Sequence, residues 1–383
     1  MKVLLRAPLL TTSGYGVHSR QIFEWLVEKN IELDVECLNW GMTPWMLNGN
    51  DEKGLIQKIM NHSKKLNPPY DITFQVQLPD EWNPRLGKYN VGISAIVETD
   101  RCNPKWIDAC NQMDHIVVPS NFTKKVLKRS GVLMTSVDVV PEWFNQNILN
   151  EEIAKTELNL KTNFNFLIIS QLNSQNPDDD RKNIFNTIKW LCEEFKENKD
   201  VGIVLKTNLG KGTTIDKKMT KDLLQQMINT IGKKEFPKIY LIHGNMKTEE
   251  VASLYHNKKI KCAVSATRGE GYGLPLIDAA AAGIPVVATN WSGHLDFLKD
   301  QFVKIDYEIK EINKNKADNR IFFEGFRWAN PIEKDFKKKV SEVYKNYNHY
   351  LNQSKNLKES IVSNYCSKNV KKIYDDLFAV LRN

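Results

Sequence analysis

The sequence predicts an α/β protein of two doubly wound, Rossmann-like parallel-sheet domains facing each other across a cleft. Three observations carry that expectation. The chain has 383 residues, more than the roughly 250–300 at which a single core stops growing. Strand-like and helix-like segments alternate regularly, and the rhythm restarts near Phe164. The second half also contains a glycine-rich passage from strand to helix, where free backbone N–H groups and a helix dipole meet.

Taken in order, residues 2–6 read as a strand and 17–29 as a helix with apolar Val17, Ile22, Phe23, Trp25, Leu26 and Val27. A strand at 32–38, a helix at 51–66 and strands at 71–76, 91–97 and 115–118 follow. Ser120 caps a helix that ends at Gly131, and a strand at 137–140 closes this half. The expected domains are 1–145, a soft linker at 146–163, 164–330, and C-terminal helices at 331–383 that pack back toward the first domain. In the second domain strands fit at 164–170, 201–205, 238–242, 261–265, 285–289 and 302–305. Helices fit at 183–196, 215–231, 248–257 and 273–282.

Composition narrows the class. With 41% hydrophobic and 26% charged residues and a mean hydropathy of -0.45, the chain is neither a membrane bundle nor a disordered polymer. The longest apolar run, 274–288, carries Asp278 and is too short to span a bilayer. Arg6 interrupts the apolar start, so no secretory leader is expected. Six scattered cysteines without a C-x-x-C spacing suit reduced thiols in a cytoplasm and imply no structural zinc. The net charge of +8 lies entirely beyond residue 150, since residues 1–150 hold 16 basic and 16 acidic side chains. Lysine outnumbers arginine 44 to 10, a bias of AT-rich genomes, phage or bacterial.

The most informative stretch is Ser265-Ala-Thr-Arg-Gly-Glu-Gly-Tyr-Gly-Leu-Pro-Leu-Ile-Asp-Ala-Ala-Ala-Ala-Gly283. It leaves a strand through glycines and enters a helix with Pro275 in its first turn. Glu270 in the loop and Asp278 on the second helical turn lie eight apart, which allows both to face a ligand held at that helix start. Glu270-Gly-Tyr-Gly-Leu-Pro-Leu-Ile-Asp278-Ala resembles the E-x7-E motif of retaining glycosyltransferases of the GT-B fold, family 4, with Asp in place of the second Glu. Ala282-Gly-Ile-Pro-Val-Val-Ala288 and Asp114-x4-Pro-Ser120 extend the likeness.

That resemblance implies that Glu270 contacts the donor sugar and Asp278 the ribose, with Gly271, Tyr272, Gly273 and Leu274 lining the donor. It implies a phosphate-binding role for Lys182, with Arg181 replacing an arginine that the family carries earlier. A positioned cation there would stabilise the charge that grows on the leaving diphosphate. Lys206, Gly244 and Asn245 are further donor candidates, as are Gly14 and Gly16 in the first half. Gly14-x-Gly16-x-x-Ser19 only loosely mimics a dinucleotide fingerprint, so an oxidoreductase is disfavoured. The family's first-domain His has no counterpart; Glu98, Asp100 and Tyr15 are the acceptor-side candidates. Asp178-Asp179-Asp180 follows Asn176-Pro177 in a polar loop and reads as a turn, so no metal and no cofactor is implied.

The implied activity is transfer with retention from a UDP- or GDP-sugar to a hydroxyl. The acceptor is a surface glycan or lipid-linked saccharide. A phage-type alternative is hydroxymethylated cytosine, or another hydroxymethylpyrimidine, in DNA. The helix at 120–130 carries Lys124, Lys125, Lys128 and Arg129, which suits an anionic surface, a phosphorylated glycan or DNA phosphates. A non-catalytic sugar-nucleotide-binding scaffold is the remaining reading.

Overall fold

The computed structural model describes residues 1–96, 98–153, 156–172, 176–231 and 235–381. The chain divides into two compact units. One comprises Met1–Trp143, Arg320–Phe322 and the chain from Tyr365 on; the other comprises Phe144–Asn319 and Phe323–Asn364.

The N-terminal unit contains β1 (Lys2–Ala7), α1 (Gly14–Leu26), β2 (Glu32–Cys37), α2 (Leu55–His62), β3 (Tyr70–Val76), β4 (Gly87–Ile93), α3 (Pro104–Cys110), β5 (His115–Val118), α4 (Asn121–Ser130) and β6 (Val137–Val139). Its six strands form one parallel sheet in the order β2-β1-β3-β4-β5-β6. The order reverses between β1 and β3, the place where doubly wound sheets open a crevice at their C-terminal strand ends. Ser13 starts α1 by accepting the Gly16 N–H, and Ser120 starts α4 by accepting that of Thr123. Val3, Leu5, Phe23, Trp25, Phe74 and Val91 are fully buried in the core of this unit.

The helix Ser367–Leu377 completes that core. Tyr374 stacks on Trp25, with ring centroids 4.8 Å apart, and the indole N–H of Trp25 donates to Asp375 at 2.8 Å. Phe378 meets Phe74 edge-on at 5.1 Å.

The C-terminal unit contains β7 (Phe164–Ile169), α5 (Ile184–Glu194), β8 (Val201–Thr207), α6 (Thr214–Ile231), β9 (Lys238–His243), α7 (Thr248–Tyr255), β10 (Ile260–Ser265), α8 (Leu274–Ala282), β11 (Val286–Thr289), α9 (Leu295–Leu298) and β12 (Val303–Ile305). A hairpin of β13 (Tyr307–Glu311) and β14 (Arg327–Pro331) follows, then α10 (Glu333–Lys345) and α11 (Tyr347–Asn364). The second parallel sheet has the order β12-β11-β10-β7-β8-β9 and reverses between β7 and β10. Phe166, Ile203, Cys262, Val287 and Phe336 are buried at its centre.

Several segments differ from the expectation. The helix over 51–66 is broken: Glu52, Lys53 and Gly54 all have positive φ, so a short 3-10 turn at Asp51–Gly54 precedes α2. The strand over 91–97 instead runs from Gly87 to Ile93; Val97 lies outside the described residues. Residues 146–163 hold a 3-10 turn at Gln146–Leu149 and bury Ile148, Ile153 and Leu160; Ala154 and Lys155 lie outside the described residues. The β13–β14 hairpin has no counterpart in the sequence reading; its first strand is short, charged and largely exposed, with Glu308, Ile309, Lys310 and Glu311 all at the surface. Of the C-terminal helices, α10 packs on α5 and α11 on α8 within the C-terminal unit, while Ser367–Leu377 belongs to the N-terminal unit.

Candidate active site

The reversal between β7 and β10 brings two loops to one place. The loop after β7 leads through Asp178–Arg181 into α5, and the loop after β10 runs from Ala266 to Gly273 into α8. Asn183 stands before α5 at φ +53. The start of α5 is held by Asp180, whose carboxylate accepts the backbone N–H of Lys182 at 3.0 Å and of Ile184 at 2.8 Å. Asp180 is therefore a buried cap. The other acids of the run lie in a turn: Asp178 donates its N–H to Asn176 Oδ1, and Asp179 Oδ2 accepts from Asn176 Nδ2. Asn173, Ser174 and Gln175 of the same loop lie outside the described residues.

Arg268 fastens the two loops together. Its guanidinium donates to the carbonyls of Pro177 at 2.7 Å and Asp180 at 2.6 Å, and its backbone N–H donates to Arg181 O at 2.8 Å. Nε reaches Asn330 Oδ1 at 3.1 Å on β14, and the group lies over the Trp328 ring. Burial lowers its affinity for the proton, and Asp180, Asp178 and Asp179 oppose that shift. Sequence reading missed Arg268. It stands inside the glycine-rich stretch, but its partners are about ninety residues away or on the unforeseen hairpin.

Lys182 Nζ lies 2.7 Å from both carboxylate oxygens of Glu270. Arg181 donates to Gly269 O at 2.6 Å and approaches Glu270 Oε2 at 3.4 Å. Glu270 is only 8% exposed. Burial alone would raise its carboxyl, but Lys182 first and Arg181 next outweigh that and hold it at about 2. Glu270, Lys182 and Arg181 thus form one charged group at the C-terminal edge of the sheet. A recess beside it is lined by Ile169, Ser170, Lys182, Ser265, Glu270 and Gly273. Two cations and the N-terminus of α8 give this place the chemistry to receive a phosphate-bearing ligand.

The loop glycines serve geometry. Gly273 sits at φ +110 as the residue before α8, and Gly283 at φ +80 ends the helix. Ala279, Ala280 and Ala281 are fully buried, so the helix packs close to the sheet. Gly271 is buried, Tyr272 buries its ring against Phe297 at 5.1 Å, and Leu274 opens α8 half-buried.

Asp278 stands apart from this charged group. Its Oδ1 accepts the backbone N–H of Asn145 at 2.8 Å. Burial pushes its carboxyl up to about 7, and the Asn145 bond only partly offsets that. One Asp278 oxygen thus ties α8 to the segment at Asn145. Asn145 in turn donates its side-chain amide to Thr248 O.

Lys206, at the end of β8, donates to Gly244 O at 2.8 Å, and burial draws its ammonium down to about 8. Asn245 accepts from Asn208 at 3.1 Å. Neither Lys206 nor Asn245 is bonded to Glu270.

The remaining candidates lie in the N-terminal unit. Gly14 is exposed, whereas Gly16 has no room for a side chain: a Cβ there would lie 2.1 Å from Thr11 O. The Tyr15 hydroxyl bonds Ser94 Oγ at 2.9 Å and accepts the Ala95 N–H, while its ring stacks on Trp40 at 3.9 Å. Burial chiefly raises the Tyr15 phenol, and the Glu98 carboxylate adds to the effect. Asp100 lies 3.7 Å from Arg101. On α4, Lys125, Lys128 and Arg129 are exposed and Lys124 is half-buried. Among the described residues no group of three or more His, Cys, Asp or Glu side chains is arranged to hold a metal ion, and no helix is long and apolar enough to cross a membrane.

Residues 212–360 match the family model described as glycosyl transferases group 1. No curated protein matches the sequence. Among solved structures, the Anabaena HepE complex with UDP and glucose shares a TM-score of 0.66 at 10% identity, covering 99% of this chain and all (100%) of that one. Sucrose-phosphate synthase from Thermosynechococcus elongatus gives 0.64 at 13% identity, with 99% and 100% covered. An S. aureus TarM mutant in complex with fondaparinux, alpha-GlcNAc-glycerol and UDP gives 0.52 at 16% identity. There 80% of this chain is covered, and the chain spans 55% of TarM. Together with the two six-stranded parallel sheets, these likenesses establish the GT-B fold.

Proposed function

We propose that this chain is a retaining glycosyltransferase that takes a sugar from a nucleotide-diphosphate sugar and delivers it to an acceptor hydroxyl. The observation that carries the reading is the Glu270–Lys182–Arg181 group at the strand reversal of the C-terminal sheet. The match of residues 212–360 to group 1 glycosyl transferases supports the reaction class. UDP in the HepE and TarM complexes supports UDP as the nucleotide, with GDP the alternative.

In this reading the donor diphosphate lies against Lys182 and Arg181. Negative charge that grows on the leaving phosphate is stabilised by cations already in place, which lowers the barrier more than the same charges in water would. Glu270 exchanges its Lys182 contact for the donor sugar. The backbone of Gly271, Tyr272, Gly273 and Leu274 borders the same ligand at the start of α8. Lys206, Gly244 and Asn245 stand further along the strand ends, toward the base. Asp278 keeps one oxygen for the ribose. Departure and attack occur on one face of the sugar, so its anomeric configuration is kept without an enzyme nucleophile and without a metal or cofactor. In the N-terminal unit, Gly14 and Gly16, in the first turn of α1, serve the donor phosphates. Tyr15, Glu98 and Asp100 serve the acceptor, which we take to be a glycan or lipid-linked saccharide handled in the cytoplasm.

The exposed Lys125, Lys128 and Arg129 of α4 favour a second reading, in which hydroxymethylated DNA is the acceptor and those cations meet phosphates. A panel of UDP- and GDP-sugars, assayed for nucleotide release with and without hydroxymethylcytosine-containing DNA, separates the two. Release that requires the modified DNA selects the second reading; DNA-independent release leaves the first. No release from any donor contradicts both.

A further inference from the structure

The main chain of Glu270 is gripped by a turn that the proposed chemistry does not use. Ser292-Gly293-His294, just beyond β11, is buried throughout. The Glu270 N–H donates to Ser292 Oγ at 2.9 Å, and the Gly293 N–H donates to Glu270 O at 2.9 Å. Both polar groups of that peptide segment are thus held by two consecutive residues.

The turn is built at a conformational cost. Ser292 stands at φ +91, a region that a non-glycine residue occupies only when its surroundings compel it. Gly293 admits no substitute in place, because a Cβ would lie 2.1 Å from Gly271 O and 2.6 Å from its carbonyl carbon. His294 anchors the far end: Nε2 donates to Thr289 O at 2.7 Å, and its Cβ lies 3.2 Å from where a Gly273 Cβ would be. The ring is fully buried and its Nδ1 has no partner. Burial lowers the proton affinity of the imidazole, and its bond to Thr289 and the nearby Glu270 oppose that shift. Strain at one residue, close packing at the next and an anchored ring at the third all bear on one carboxylate-bearing loop.

We propose that Ser292, Gly293 and His294 are positioning residues that fix the Glu270 peptide, and through it aim the carboxylate at Lys182 and the bound donor. The proposal rests on the reading of Glu270 as a donor-binding residue. A turn required only for folding would lower stability without acting through Glu270 in particular.

Ser292→Ala removes the acceptor for the Glu270 N–H, and Ser292→Gly removes it while relieving the backbone at φ +91, so at least the second variant should fold. The expected result for either is a fall in kcat of about 10–100-fold with donor KM changed less than about threefold. In a Glu270→Gln background the same change should cost less than about threefold more, because the two residues act as one unit. Activity within twofold of the parent, or full additivity with Glu270→Gln, overturns the proposal. The crystal structure of Ser292→Gly gives the same answer without substrate. Lys182 Nζ–Glu270 contacts opened from 2.7 Å support it, and an unmoved Glu270 loop overturns it even if no transfer is ever seen. Failure of the donor reading itself shows separately, as a parent protein that binds no nucleotide sugar.

Discussion

At the scale of single residues, the two cations around Glu270 decide the chemistry. Lys182→Ala should keep the fold, because the Lys182 side chain is partly exposed, and should reduce transfer by about 100–1000-fold, the loss typical of one preorganised charge. Steady-state kinetics of the folded variant checks this; undiminished turnover removes Lys182 from the mechanism. Asp278 makes a different prediction. Its folded carboxyl is raised from 3.8 to about 7, so the protonated form is favoured in the folded state. The associated stability is complete below about 4 and is lost as pH rises through 7. Asp278→Asn keeps an oxygen for the Asn145 N–H and should flatten the fall in urea midpoint between pH 5 and 8; an unchanged slope contradicts the burial argument. Glu270 and Lys182 stand out in the sequence because they lie at strand-to-helix junctions and in segments that resemble a known motif. Arg268 and Ser292 do not, because what they hold lies 88 and 22 residues away and only the fold joins them.

At the scale of elements, caps and close approaches place these residues. Asp180 holds the first N–H groups of α5 and thereby the backbone of Lys182. Asp180→Ala should cost about 1–2 kcal/mol of stability and weaken donor binding together, whereas an ordinary helix cap would show only the first effect. Thermal unfolding and donor titration of the same preparation read both. Caps such as Ser120 and a left-handed glycine stop such as Gly283 can be seen in sequence, since side-chain chemistry and backbone freedom act locally. The break at Glu52–Gly54 could not be read from the pattern of apolar residues. The β13–β14 hairpin, whose first strand is largely exposed, was equally hidden, although Asn330 and Trp328 on its second strand support Arg268.

At the scale of the whole molecule, each parallel sheet reverses its strand order once, and in the C-terminal unit the reversal coincides with the charged group. Two Rossmann-like sheets were predictable from β-α alternation. The contacts of the last helix could not be read from local pattern, because Tyr374 and Phe378 find Trp25 and Phe74 some three hundred residues upstream. Deleting residues 365–383 removes both aromatic contacts and the Trp25–Asp375 bond. It should destabilise the N-terminal unit by at least about 3–5 kcal/mol, the cost of emptying large aromatic sites. Limited proteolysis should then cut within residues 1–143 first, and a protease pattern like that of the full chain would contradict this.

The central claim is that the Glu270–Lys182–Arg181 group is the seat of a nucleotide-diphosphate sugar. Calorimetric titration of the parent and of Lys182→Ala with UDP and with UDP-sugars, and with GDP counterparts, tests it most directly. Binding by the parent that weakens at least about tenfold in the variant, equivalent to about 1.4 kcal/mol, is the predicted result. Absence of binding by the parent, or equal binding by both, would contradict it.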